Sequence, residues 1–322
     1  MSAPSPAAAR LAPRGGARKL GTTRRFLKSR ALVLGNATLD VIQRVERLPA
    51  PGETVLALST ARCAGGKGLN QAVAASRTGA PTLLVAPIGQ DAEAAVLANS
   101  LKDEAGLEVN WLVCDAPTDL SAIWVATGGE NVIVSSTDCA RLVTSDQARS
   151  FCSTLAAGDV LLMQGNLSAD ATRAAAETAR ARGAKCVLNT APIAWDMRGI
   201  LGLFDIVIAN EGEAALLTAG SPSANASLRA SGVRTAIITL GARGALILDD
   251  GTETAINAPQ VTAIDTSGAG DVFVGTLAGL LANGFTLMSA VTIAVAAASL
   301  SVTRLNTTPS FPSRAEIAAL AC

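Results

Sequence analysis

The run Asp265-Thr266-Ser267-Gly268-Ala269-Gly270-Asp271 stands directly before a long stretch without charge. Small residues at a helix start leave backbone N–H groups free to converge on an anion, helped by the positive end of the helix dipole. Asp271 then falls in the first turn, beside that anion hole. A carboxylate so placed can act as general base toward an attacking hydroxyl, with the backbone of Gly268, Ala269 and Gly270 taking the charge of a transferring phosphoryl group. An Asp here can also do no more than stabilise a helix start. The small residues beside it favour chemistry.

Two further clusters could hold the other reactant. Gly65-Gly66-Lys67-Gly68-Leu69-Asn70-Gln71-Ala72 is a three-glycine loop opening a helix, which brings backbone and polar side chains close to a ligand. It is not a P-loop, because it lacks the spaced first Gly and a Ser or Thr after Lys67. Gly35-Asn36-Ala37-Thr38-Leu39-Asp40 follows an apolar run, and Asp40 is suited to sugar hydroxyls. It does not match G-x-G-x-x-G, which disfavours a nicotinamide crevice. The chain has no histidine and no tyrosine. Ser-His-Asp and Cys-His catalysis and histidine metal sites are thereby excluded. The base has to be a carboxylate, a Lys or a Cys.

These clusters need elements to position them. Short apolar runs read as strands at Ala31–Leu34, Thr82–Ala86, Val160–Met163, Cys186–Asn189, Ile206–Ala209, Thr235–Thr239 and Ala245–Leu248. Helices are expected at Leu69–Ser76, Ala92–Asn99, Ala169–Arg182 and Glu211–Thr218, with two long ones closing the chain. Such alternation predicts a mostly parallel sheet covered on both faces, with ligands outside the carboxyl ends of its strands. Two extended segments, about 41–64 and 109–136, break the alternation. In the second, Ala122–Ala126 and Asn131–Ser135 flank Gly128-Gly129, a hairpin signature. Together they predict a small separate sheet, for which a lid is the natural use.

The 322 residues are 49% apolar and 16% charged, enough to bury a large core. Residues 1–30 carry eight basic residues and no acid (Arg10, Arg14, Arg18, Lys19, Arg24, Arg25, Lys28, Arg30), so the rest of the chain has 18 basic against 26 acidic residues, a charge of −8. An acidic body argues against a nucleic-acid partner. The arm 1–30 reads as a disordered tail ahead of one domain over 31–322; its composition also resembles a transit peptide. Six scattered cysteines without a C-x-x-C pair suggest reduced thiols and a cytoplasmic location, with Cys139 and Cys152 as small buried residues. Val272–Thr303 carries no charge and is long enough to span a bilayer. Asn283-Gly284 interrupts it, so two buried helices are expected and no membrane, with Gly275 and Gly279 at a close helix contact.

Taken together, the three motifs resemble the ribokinase (PfkB) family of carbohydrate kinases, from about residue 31 to 320. Gly65–Ala72 is similar to G-G-K-G-x-N-Q-A and Asp265–Asp271 to D-T-x-G-A-G-D. The resemblance implies a three-layer α/β/α body with a mostly parallel sheet and a small β-sheet lid, which in ribokinases also forms a homodimer interface. It implies transfer of the ATP γ-phosphoryl group to a sugar hydroxymethyl group, D-ribose foremost, with Asp271 as base and Gly268, Ala269 and Gly270 as anion hole. Thr38, Asp40, Gly66, Lys67, Gly68, Asn70 and Asn166 would line the sugar. Asn210, Thr239, Gly241, Ala242, Arg243, Gly244, Gly270 and Val295 would line ATP. Asn210 and Glu213 would serve magnesium indirectly, and Asp265, Ser267, Ser301, Arg304, Asn306 and Ser310 fall at a potassium site.

The chain departs from the pattern in places. Asn166 stands where ribokinases usually carry a Glu facing the sugar, and Thr38 where they carry Asn. Thr137-Asp138-Cys139 replaces G-A-N, and Arg304-Leu305-Asn306 lacks a customary Gly. These departures leave open another sugar (2-deoxyribose, a ketohexose) or a nucleoside as acceptor, though few aromatics are present to stack a base. A non-catalytic sugar- or nucleotide-binding regulator and an oxidoreductase are the alternatives from other classes.

Overall fold

The computed structural model describes residues 29–221 and 223–321. It opens with β1 (Ala31–Leu34), buried along its whole length. Ala31 and Val33 join one hydrophobic cluster, Leu32 and Leu34 another. Successive side chains of a strand point to opposite faces, so β1 lies at the centre of three layers. Its unbroken apolar run is what a parallel strand under helices on both faces requires. β2 (Thr38–Val45) and β3 (Ser59–Gly65) pair antiparallel, and α1 (Lys67–Arg77) follows after Gly66. Next come β4 (Thr82–Ile88), α2 (Ala92–Ser100), β5 (Leu107–Val113) and the hairpin β6 (Leu120–Ala126) with β7 (Asn131–Ser135). The chain continues through α3 (Ser145–Cys152), β8 (Val160–Gln164), α4 (Ala169–Ala181), β9 (Lys185–Asn189), β10 (Ile206–Asn210), α5 (Glu211–Leu217), α6 (Ala224–Ala230), β11 (Thr235–Thr239), β12 (Ala245–Asp249) and β13 (Thr252–Ile256). Helices α7 (Ala269–Ala282), α8 (Leu287–Ser301) and α9 (Arg314–Leu320) close it.

The large sheet has the order β13-β12-β11-β10-β9-β8-β1-β4-β5. All pairs from β11 to β5 are parallel, and β12 and β13 are antiparallel additions at one edge. Residues of α1, α7 and α8 build the cluster on one face; residues of α3, α4 and α5 build the other. The small sheet, β3-β2-β6-β7, joins its two hairpins through a parallel β2–β6 pair.

The extended segments therefore divide differently from the sequence reading. Leu107–Val113 pairs with Thr82–Ile88 as an edge strand of the large sheet, so the lid begins only at Leu120. At the other end β2 enters the lid at Thr38, before residue 41. The basic arm through residue 28 lies outside the described residues. Arg30, counted with the arm, is anchored: its guanidinium donates to Thr154 Oγ1 at 2.7 Å and its backbone N–H to Asp159 at 3.1 Å.

The uncharged stretch forms the two buried helices α7 and α8, turning at Asn283 and Gly284, the latter at φ 88°. Among the described residues no helix is long and apolar enough to cross a membrane. Gly275 and Gly279 do lie at a close helix contact. A Cβ on Gly275 would come within 2.2 Å of the Gln71 carbonyl oxygen, and one on Gly279 within 2.4 Å of Thr78 Oγ1. Cys139 and Cys152 are fully buried.

Candidate active site

The site lies where the ends of β1 and β8, the start of α1, the lid and the start of α7 converge. Gly66 caps α1 at φ 94°, a backbone conformation that side chains other than glycine avoid. This turn lets Asn36 brace the helix start: its Oδ1 accepts from the Gly68 N–H at 3.2 Å and its carbonyl from the Leu69 N–H at 3.0 Å. One turn further along α1, two amides reach across to α7. Asn70 Nδ2 donates to Asp271 Oδ2 at 3.0 Å and Gln71 Nε2 to Asp271 Oδ1 at 2.9 Å. Gln71 Oε1 in turn accepts from Gln164 Nε2 at 2.8 Å, tying Asp271 to the end of β8.

Asp271 is 7% exposed in the first turn of α7. Gly268 precedes it as helix cap at φ 78° and, being glycine, has no side chain to cap the helix start. The Ala269 N–H turns back to the Thr266 carbonyl at 3.3 Å. Of the N–H groups expected in the anion hole, that of Ala269 is therefore engaged, while the first-turn N–H groups of Gly270 and Asp271 have no intrahelical acceptor.

On the lid side, Thr38 and Asp40 are both buried, and Thr38 Oγ1 donates to Asp40 Oδ1 at 2.7 Å. Burial pushes the Asp40 carboxyl above its ordinary value; hydrogen bonding to Thr38 and Ser121 pulls it back, and the negative charge of Asp271 adds to the rise. Lys67 opens α1, half-buried, and Asn166 lies half-buried just beyond Gln164. Asn70 Oδ1, Gln164 Oε1 and Asn166 Oδ1 are buried acceptors without a donor among the described residues. Such groups are costly unless paired.

On the far side of Gly270 opens a cavity of about 340 Å³. Of the residues expected around ATP, Thr239, Gly241, Ala242, Gly244, Gly270 and Val295 line it. Phe273, Pro259 and Val302 add an apolar wall that the sequence reading did not include. Asn210 and Arg243 are not among its lining residues. Arg243 pairs with Glu211, and Asn210 caps α5 in a reciprocal bond with Glu213. Glu213 Oε2 accepts from the Asn210 N–H at 3.0 Å and from Thr190 Oγ1 at 2.9 Å.

The loops ahead of α7 and behind α8 meet at Asp265. Its carboxylate accepts the Ser267 N–H at 2.9 Å and the Asn306 N–H at 3.1 Å. Burial opposes its ionisation, but hydrogen bonding to the Ser267 side chain, the two backbone bonds and the charge of Arg44 together hold it below the ordinary carboxylate value. Ser301 and Ser310 are buried, their hydroxyls donating to the Ala298 and Thr307 carbonyls. Arg304 turns away to pair with Glu316.

The sequence reading missed Asn36, Gln71 and Gln164 as site residues. Gln71 could have been found in the same glycine-led run as Asn70. Gln164 could not, since its role depends on β8 lying next to β1.

The geometry is that of a kinase site, with a carboxylate between a polar pocket and a helix start that opens on a nucleotide-sized cavity. Residues 28–314 match the model of the pfkB family of carbohydrate kinases, and the chain belongs to that family. Among its relatives are ribokinases. It is 33% identical over 293 residues to the ribokinase of Haemophilus influenzae, covering 88% of this chain and 95% of that one. The structure of Arabidopsis thaliana ribokinase complexed with ribose and ATP superposes with a TM-score of 0.81 at 27% identity, covering 92% and 99% of the two chains. Ribokinase from Thermotoga maritima gives a TM-score of 0.83 at 26% identity, with 91% and 99% covered.

Proposed function

We propose that this protein transfers the γ-phosphoryl group of ATP to the hydroxymethyl group of D-ribose, giving D-ribose 5-phosphate. The observation that carries the reading is the Asp271 carboxylate, fixed by Asn70 and Gln71 between the sugar pocket and the N-terminus of α7. Asp271 accepts the proton of the acceptor hydroxyl as its oxygen forms a bond to the γ-phosphorus. The bond from that phosphorus to the β–γ bridging oxygen breaks, and ADP leaves with the electron pair. The first-turn N–H groups of α7 face the charge gathered on the phosphoryl oxygens. Asp40, Gly66, Lys67, Gly68, Asn70 and Asn166 hold the sugar. The relatives named above support ribose as acceptor, although Asn166 and Thr38 differ from the usual ribokinase residues.

Magnesium, when bound with ATP, offsets the charge of the phosphate groups. Asn210 and Glu213 fit a hydrated ion better than a bare one. Both Glu213 oxygens already accept protein hydrogen bonds, which suits contact through water. Potassium fits less well: the Asp265 carboxylate already accepts the N–H groups of Ser267 and Asn306, and Arg304 brings a cation, paired with Glu316, in place of a neutral ligand. A homodimer through the lid accords with the exposed Leu56, Leu58, Val132, Ile133 and Val134. A reducing compartment accords with Cys63, Cys114, Cys139, Cys152 and Cys186 all being free thiols.

Initial rates with ribose, 2-deoxyribose, fructose and a nucleoside test the reading. Ribose should give the highest kcat/KM. Turnover on none of them, with ATP binding retained, would replace the kinase with a binding regulator.

A further inference from the structure

The face of the lid that carries Asp40 is crossed by a polar row. Asp40 on β2 stands in register with Cys63 on β3 and with Ser121 on β6, and Ser121 with Ser135 on β7. Residues in register on paired strands share a face, and Thr38, two residues before Asp40, shares it as well. The hydroxyls along this row touch. Ser121 Oγ lies 2.9 Å from Ser135 Oγ, Ser121 donates to Thr38 Oγ1 at 3.4 Å, and Thr38 donates to Asp40 Oδ1 at 2.7 Å. Ser121, Thr38 and Asp40 are all more than nine-tenths buried.

This arrangement changes what Thr38 does. A hydroxyl has one proton to give, and that of Thr38 goes to Asp40, so Thr38 cannot also donate to a sugar. The other carboxylate oxygen, Oδ2, occupies space that only a glycine leaves open: a Cβ on Gly65 would lie 2.0 Å from it. Asp40 is thus fixed at one oxygen by the hydroxyl row and fitted at the other against bare backbone.

We propose that Ser121 is a positioning residue for the acceptor sugar, acting through Thr38 to aim Asp40 and so placing acceptor recognition under the control of lid strands β6 and β7. The proposal rests on the sugar-kinase reading, since it takes Asp40 to hold acceptor hydroxyls. A site built to pair hydroxyl groups discriminates through its geometry, and here that geometry is set from the lid.

The ionisation of Asp40 supplies an independent readout. The ionisable groups acting on it are Asp271 from α7 and Cys63 from β3. The Cys63 thiol is pushed up to about 11, chiefly by burial, and stays neutral at physiological pH. Hydrogen bonding to Thr38 and Ser121 lowers the Asp40 pKa against burial and the charge of Asp271. Removing the Ser121 hydroxyl therefore raises it further, and the acid limb of kcat/KM for the sugar moves to higher pH.

The test compares Ser121→Ala and Ser121→Thr with the unaltered protein, measuring kcat, both KM values and the pH profile with ribose, or with whichever sugar of the panel is best used. Ser121→Ala should raise the sugar KM by about 5–10-fold, as expected for one lost hydrogen bond. It should shift the acid limb upward while kcat and the ATP KM hold. Ser121→Thr, which keeps the hydroxyl, should restore both. An unchanged sugar KM and acid limb in Ser121→Ala overturns the proposal, as does a parallel loss in sugar KM, ATP KM and kcat. An unaltered protein that phosphorylates no sugar overturns the kinase reading together with it; turnover with an indifferent Ser121 overturns the positioning role alone.

Discussion

Asp271 is held at both oxygens by side-chain amides, Asn70 on one and Gln71 on the other. That pairing suits a carboxylate and no other residue, because both partners donate. Asparagine at 271 would present an NH₂ group to one of two donors and could not take a proton from the acceptor. Asp271→Asn should therefore lower kcat by about 10²–10⁴-fold. ATP affinity, measured by calorimetry, should stay close to that of the unaltered protein, and activity surviving within a few-fold would remove Asp271 as the base. The absence of histidine costs the reaction nothing, since a carboxylate can take its proton and backbone N–H groups with magnesium can face its charge. Asp271, Asp40 and Asn70 were legible in the sequence because short glycine-led motifs carry them. Gln164 was not, because an amide's partner is decided by which strands lie side by side.

The contact between α1 and α7 turns this residue geometry into an element-level constraint. Asp271 rides on α7 and both of its amide partners on α1, and a Cβ at Gly275 would press within 2.2 Å of the Gln71 carbonyl and 2.7 Å of Ala74 Cβ. Gly275→Ala should force the helices apart and cost about 1–3 kcal/mol of stability, read by denaturant melts. Activity should fall with it, because Gln71 moves with its backbone; a variant of unchanged kcat would show that the helix spacing does not position the base. Elements with self-contained signals, such as the unbroken apolar run Ala31–Leu34, were readable to the residue. Leu107–Val113 was not: its alternating exposure suits an edge strand of either sheet, and only the pairing with Thr82–Ile88 settles which. The antiparallel β11–β12 pair could have been inferred, since the five residues between Thr239 and Ala245 are too few for a parallel crossover.

At the scale of the whole molecule, the chain builds its body in three stretches, before, between and after the two hairpins of the lid. β2 and β6 lie side by side, and Trp124 Nε1 donates to Gln43 Oε1 at 2.9 Å across a separation of 81 residues. Between them in the chain lie α1, β4, α2 and β5, which belong to the body. Each hairpin of the lid is local, but their joining requires that intervening body to be in place, and pairings of high sequence separation are slow to form. The consequence is an order of assembly. In native-state hydrogen exchange, the N–H groups of the β2–β6 pair should open well below the free energy of β1 and β8 at the sheet centre; equal protection across both sheets would contradict this. The two substrates would then meet a molecule of unequal age. The nucleotide side matures with the body, while the sugar side comes into being last and is the first to be lost.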